Sequence, residues 1–334
     1  MNRIFNRFKR KYLTFNTDVG KLGRTLCTKC DAMLFDGESE ICCAKGKVKL
    51  SPLHPPTEEI KSMFEGRSSE SKEFLSKIRM YNSKFAFTSL GTKNVEIPGR
   101  GPPTFKINGR MHHLIGQLLP SQDQEPVFAQ VYVHDQEEQL RLRLNGALNL
   151  NARTIQFWNC VMGSNPFALR FRQIGLENNP EKKYVIKERI GDDIRRYNAP
   201  TADEIAIIMP GDGSQETAFR DVVLSARGGG LRRINEMNPS YDPLHYPLLF
   251  PFGDFGWAND LEQVRSNRKV TLKQFYAFRI MQRNDQISIL HQAKRLFHEF
   301  LVDQYAKIET SRLDFLRNNQ STIRAELYQG IIVN

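Results

Sequence analysis

Apolar residues recur every three or four positions between Glu58 and Tyr81, at Ile60, Met63, Phe64, Phe74, Leu75 and Ile78. That spacing predicts a helix, broken by the Gly/Ser stretch at 66–71. The rhythm then shortens. FAFTSLGTK at 85–93, TFKINGRMHHLIGQLLP at 104–120 and VFAQVYVHD at 127–135 are rich in Phe, Val, Ile and Thr. They read as strands, with PGRGPP at 98–103 as a turn. RTIQFWNCVMGSNPFALRFRQ at 153–173 returns to an amphipathic helix interrupted near Gly163 to Pro166, and short strands follow in YVIKERI, EIAIIMPGDG and FRDVVLSARGGG. DPLHYPLLFPFGDFGW at 242–257 holds too much Pro and Gly for regular structure. Helical spacing resumes from Val270 to Tyr305, and a second helix is expected over Ile308 to Leu327.

Strands that do not alternate with helices in a βαβ rhythm predict an α+β fold. The chain divides into a basic arm at 1–26, a small Cys-rich zinc module at 27–56, a mixed α+β middle with short antiparallel strands at 57–264, and a helical C-terminal segment at 265–334. Its 334 residues and 40% apolar content suffice for a substantial core. No run of about 18 apolar residues occurs, and the start, MNRIFNRFKRKYLTF, lacks the apolar stretch of a signal peptide, so an intracellular protein without a membrane partner is expected.

Charge changes this picture. The net charge is +11. Residues 1–50 hold 11 Lys/Arg against 5 Asp/Glu and residues 265–334 hold 12 against 6, so each end is near +6 while the middle is close to neutral. Two basic ends around a neutral middle fit a polyanion, and nucleic acid is the expected partner. Arg268, Lys269, Lys273, Arg279, Arg283, Lys294 and Arg295 are the candidate phosphate contacts, interleaved with Phe275, Tyr276 and Phe278 that would stack on unpaired bases or else form core. His291 and His298, seven apart, would reach phosphate or sit in solvent.

Four of the five cysteines lie between residues 27 and 43. Cys27 and Cys30 form a C-x2-C knuckle, whose two thiolates reach one tetrahedral ion, and Cys42 and Cys43 follow. Structural zinc is the favoured cofactor, in a reducing compartment. Adjacent cysteines point apart in extended backbone, so His54 competes with one of that pair as fourth ligand. Cys160, within an apolar helical run, is expected to pack as a small core residue.

Catalytic signatures are missing from the residues as written. There is no G-x4-G-K-[ST] phosphate loop, no two of the seven histidines are separated by one residue, and the glycine runs at 211–213 and 228–230 read as turns. His112 and His113 fall on opposite faces of a strand, while Tyr241 and Tyr246 read as packing aromatics. No enzymatic activity is expected of this chain. A rival reading takes Phe250, Phe252, Phe255 and Trp257 as exposed aromatics of a host-retained protein-interaction scaffold.

Taken in order, CTKCDAMLF, CCAKGKVKL, YNSKFAFTSLGTK, RRYNAPTADEIAIIMPGDG, YDPLHYPLLFPFGDFGW and RLFHEFLVDQYAKIETSRLDFLRNNQ give a chain that resembles the N-terminal part of the replication initiator and helicase proteins of Helitron transposable elements. The resemblance implies a nuclear protein of rolling-circle replication acting on single- and double-stranded DNA. It also implies a zinc module at Cys27, Cys30, Cys42 and Cys43, ahead of a nickase whose His pair and tyrosines, like the ATPase motifs, this sequence does not show.

Overall fold

The computed structural model describes residues 22–35, 41–90, 113–115, 125–147, 149–177, 183–186, 207–209, 222–225, 232–233, 237–283 and 288–320. The basic arm up to residue 21, the turn at 98–103, His112, the two glycine runs and the end of the second C-terminal helix lie outside them. In chain order the strands are β1 (Leu22–Leu26), β2 (Met33–Phe35), β3 (Ser89–Leu90), β4 (His113–Ile115), β5 (Lys183–Ile186), β6 (Ile207–Met209), β7 (Val222–Ser225) and β8 (Arg232–Arg233). The helices are α1 (Glu58–Glu65), α2 (Ser69–Ser76), α3 (Ile78–Phe85), α4 (Gln136–Leu144), α5 (Ala152–Met162), α6 (Pro166–Glu177), α7 (Tyr241–His245), α8 (Leu272–Arg279) and α9 (Lys294–Asn318). Two 3-10 turns cover Phe128–Val133 and His291–Ala293. β1 pairs with β2, β4 lies between β3 and β8, and β5 lies between β6 and β7. Every pairing is antiparallel, in accord with an α+β fold of short strands.

Local chemistry sets the breaks. Gly66 ends α1 at φ 68, and Ser68 then caps α2 by accepting from the Ser71 N–H, so the interruption expected at 66–71 is a C-cap followed by an N-cap. Asn165 plays the same part at the second break, accepting from the N–H groups of Phe167 and Ala168 at the start of α6. Pro166 stands at the first helical position, where its missing N–H leaves no bond unmade.

One cluster of buried apolar residues runs from Cys27 to Phe300. At its centre, Phe74 stacks on Trp158 with centroids 5.5 Å apart, and Phe64 meets both rings edge-on. The cysteine-rich front shares this core with the C-terminal helices. The boundary drawn at residue 264 falls inside a turn in which Glu262 bridges Lys269 and Gln263 donates to the Arg268 carbonyl.

Four elements differ from the sequence reading, the first being the short helix α7 at Tyr241–His245, which opens a run expected to be irregular. VFAQVYVHD is a 3-10 turn, because Phe128 has φ 52 and reverses the chain, after which Ala129, Val131, Tyr132 and Val133 are all buried without alternation. FAFTSLGTK begins as the end of α3, leaving Ser89–Leu90 as strand. The C-terminal helices divide elsewhere: α8 is short, and α9 runs through Ile308 without a break. Cys160 is exposed, on the solvent side of α5, and is not a core residue. Among the described residues no helix is long and apolar enough to cross a membrane.

Candidate metal centre and cationic face

The sulfurs of Cys27, Cys30, Cys42 and Cys43 all lie within 4.8 Å of one another. Cys27 and Cys43 are 3.7 Å apart and Cys30 and Cys42 are 3.6 Å apart, well beyond a covalent S–S bond of about 2.05 Å. Four sulfurs around a tetrahedral ion with bonds of about 2.3 Å would sit about 3.8 Å apart. The donor set fits a thiophilic divalent metal that leaves no open position for water.

The backbone explains how neighbouring cysteines serve one centre. Residues 41–47 form turns and not extended chain, and Ala44, Lys45 and Gly46 all have positive φ. That reversal carries the Gly46 N–H to 3.1 Å from the Cys43 sulfur. The first knuckle turns the same way at Asp31, φ 54, whose N–H donates to the Cys27 carbonyl. The alternation argument that made His54 a competitor therefore does not apply. His54 lies elsewhere: its Nδ1 is 2.8 Å from Asp254 Oδ1 and its backbone N–H donates to the same oxygen. That contact raises the imidazole pKa, against partial burial.

Without a cation, two of the crowded thiols, Cys42 and Cys43, resist ionisation. Burial pushes Cys43 up to about 11, helped by the Cys27 and Cys30 sulfurs, and raises Cys42 further. At Cys27 burial is the largest influence, yet hydrogen bonds from the Lys29 and Cys30 backbone and from neighbouring thiols together leave the group lowered. A divalent ion would relieve this crowding by holding all four as thiolates.

Arg283 completes the surroundings. It is 4% exposed, its Nε donates to the Cys30 carbonyl at 3.1 Å, and its Nη2 is 3.6 Å from the Cys30 sulfur. The guanidinium carbon stands 3.7 Å over the Phe278 ring. Its charge is therefore committed to the cysteine centre and is withdrawn from the candidate phosphate contacts. Nothing local in the sequence distinguished it from its exposed neighbours.

The other candidate cations divide. Lys269 pairs with Glu262 at 2.9 Å, and Arg279 donates to the Ser51 carbonyl and lies over Phe275. Arg268, Lys273, Lys294 and Arg295 are exposed and make no ion pair among the described residues. The interleaved Phe275, Tyr276 and Phe278 are buried, so they are core and do not stack on bases. Phe250 and Trp257 are also buried, while Phe252 and Phe255 pack against the core, which removes the exposed aromatic patch of the scaffold reading. His291 Nε2 donates to the Ile280 carbonyl, and its ring packs on Phe297.

Sequence reasoning missed a buried polar network in this same part of the chain. Lys307 Nζ is 2.7 Å from Asp242 Oδ1, with both side chains almost fully buried. Tyr276 donates to Asp242 Oδ2, and Gln304 donates to Oδ1. Tyr241 and Tyr246 each donate to Asp303, at 3.2 Å. Gly256 lets this happen: a Cβ there would lie 2.6 Å from Asp242 Oδ2. The YDPLHY run is thereby clamped onto α9. The missed signal is the stripe Leu296, Phe300, Asp303, Gln304, Lys307, in which the inward face of a helix turns from apolar to polar.

Residues 275–333 match the family described as the Helitron helicase-like domain at N-terminus. The Helitron-like stretch opens within α8 and contains Arg283, the whole of α9 and the Lys307 end of the buried network. A comparison with curated proteins finds no match.

Proposed function

We propose that this chain is a DNA-binding part of a Helitron-type rolling-circle transposition protein, with structural zinc at Cys27, Cys30, Cys42 and Cys43. The observation that carries the reading is the set of exposed cations Arg268, Lys273, Lys294 and Arg295, which make no ion pair among the described residues and of which Lys294 and Arg295 lie inside the Helitron-like stretch. Structured cations without carboxylate partners release counterions when they meet phosphate. The soft, closed donor set favours zinc over harder ions. The reading assigns gripping, and no bond breaking, to these residues, and a nuclear setting follows from the DNA partner.

Titrating salt against binding of a labelled duplex and a labelled single strand tests it. The logarithm of affinity should fall linearly with the logarithm of salt, and Arg268→Gln with Lys273→Gln should each lower the slope by about 1. Absence of binding at low salt, or a flat salt response, rejects DNA as the partner. Cleavage of labelled DNA by this chain alone would reject the non-catalytic role.

A further inference from the structure

Outside the metal centre the described residues enclose a cleft of about 760 Å³ between α3 and the first half of α9. That volume is within the range of small-molecule sites. Its two sides differ in kind. Arg79 and Arg295 line it with guanidinium groups, both substantially exposed, and His298 stands beside them. Phe128 and Val302 line it with apolar surface that is 39% and 65% exposed. The floor is polar but satisfied: Thr88 Oγ1 meets His245 Nδ1 at 2.9 Å, and Asp303 accepts from Tyr246.

We propose that this cleft takes one nucleotide of an unpaired DNA strand, with the base against Phe128 and Val302 and its phosphate on Arg295 and Arg79. Cations beside exposed aromatic and apolar surface form the combination that binds single strands without sequence preference. Arg295 makes no ion pair among the described residues. Arg79 is held by Glu299 at only 3.7 Å, and burial raises the Glu299 pKa, so phosphate competes there against a weak partner. Phe128, which lines the cleft, has φ 52. Bulky residues in that region are strained, and such strain collects where a ligand is clamped. Arg295 also sits in the first turn of the 25-residue α9, where no acidic residue answers the positive end of the helix dipole.

The proposal rests on the DNA-binding reading, and one experiment separates their failures. Fluorescence anisotropy of the full chain at low salt would compare an oligothymidine, an abasic strand of equal length and a duplex. The expected result is binding to oligothymidine about fivefold or more tighter than to the abasic strand, from base contact. Phe128→Ala and the uncharged surface change Val302→Ser should each erase that difference and leave duplex binding unchanged. Equal binding of the abasic strand and oligothymidine by the parent chain overturns the cleft while leaving the DNA reading standing. So do variants that melt like the parent and keep its preference. No binding to any of the three overturns both.

Discussion

The cysteine centre and the Asp242–Lys307 network are two buried devices that fasten distant segments together, and they do so by opposite means. The cysteine centre gathers four ligands from 17 consecutive residues, 27–43, and then borrows one cation, Arg283, from far along the chain. The polar network has no local nucleus at all. Asp242 and Lys307 are 65 residues apart, and each is tolerable in the core only because the other is there. One is a group of thiols that could ionise together only around a metal ion. The other is a pair already neutral within the protein. The first should be sensitive to solution conditions and the second to substitution alone.

Three measurements press on that difference. Removing the metal, by chelation or by Cys27→Ser with Cys30→Ser, should have the largest effect, since binding at thiolate-rich structural zinc sites is worth about 10–16 kcal/mol in small domains and is tied to folding. Metal analysis should find one zinc per chain in the parent, and thermal melting should fall steeply without it. Stoichiometric absence of metal, with melting unaltered in the variant, would sink the assignment. Next, Lys307→Met should cost about 3–5 kcal/mol in denaturant unfolding, because it strands the Asp242 carboxylate. Adding Asp242→Asn to Lys307→Met should recover part of that loss. If the double variant were as unstable as the sum of two singles, the pair would not be acting as a unit.

The smallest effect belongs to His54. Its folded-state pKa is raised by Asp254, so the contact stabilises fully below the unfolded value of about 6.5 and fades as pH rises through the folded value. Because the imidazole is 39% exposed, the contribution should stay below about 1 kcal/mol. His54→Gln should remove up to that amount of the stability lost as pH rises above about 6.5, and should leave metal content unchanged. A loss of metal in that variant would return His54 to the ligand set.

The same contrast explains what the sequence made readable. The knuckle at Cys27 and Cys30 was legible because its ligands and its turn are neighbours. So were the helix breaks at 66–71 and 163–166, where Gly, Ser, Asn and Pro act within a few residues. The approach of Cys42 and Cys43 to one centre was implied by the family resemblance but not by local spacing, because it depends on consecutive left-handed residues that only a folded turn reveals. Composition located the basic C-terminal segment but could not sort its cations. Arg283 and Lys307 face inward, Lys269 and Arg312 answer carboxylates, and Lys273 and Arg295 remain exposed. The strand expected at 127–135 failed for a related reason, since Tyr132 is drawn onto Phe87, ring centroids 4.0 Å apart, by a contact no local pattern encodes.

The reach of Arg283 to Cys30 has a consequence for how the molecule is made. Residues 27–43 leave the ribosome about 240 residues ahead of Arg283, an interval of roughly 12–48 s at 5–20 residues per second. During that time a nascent cysteine loop that met a metal ion would hold it without the guanidinium that will later lie against it. Translation thus makes the four sulfurs available well before the counter-charge, and a product ending before α8 would have the cysteine loop without its cap.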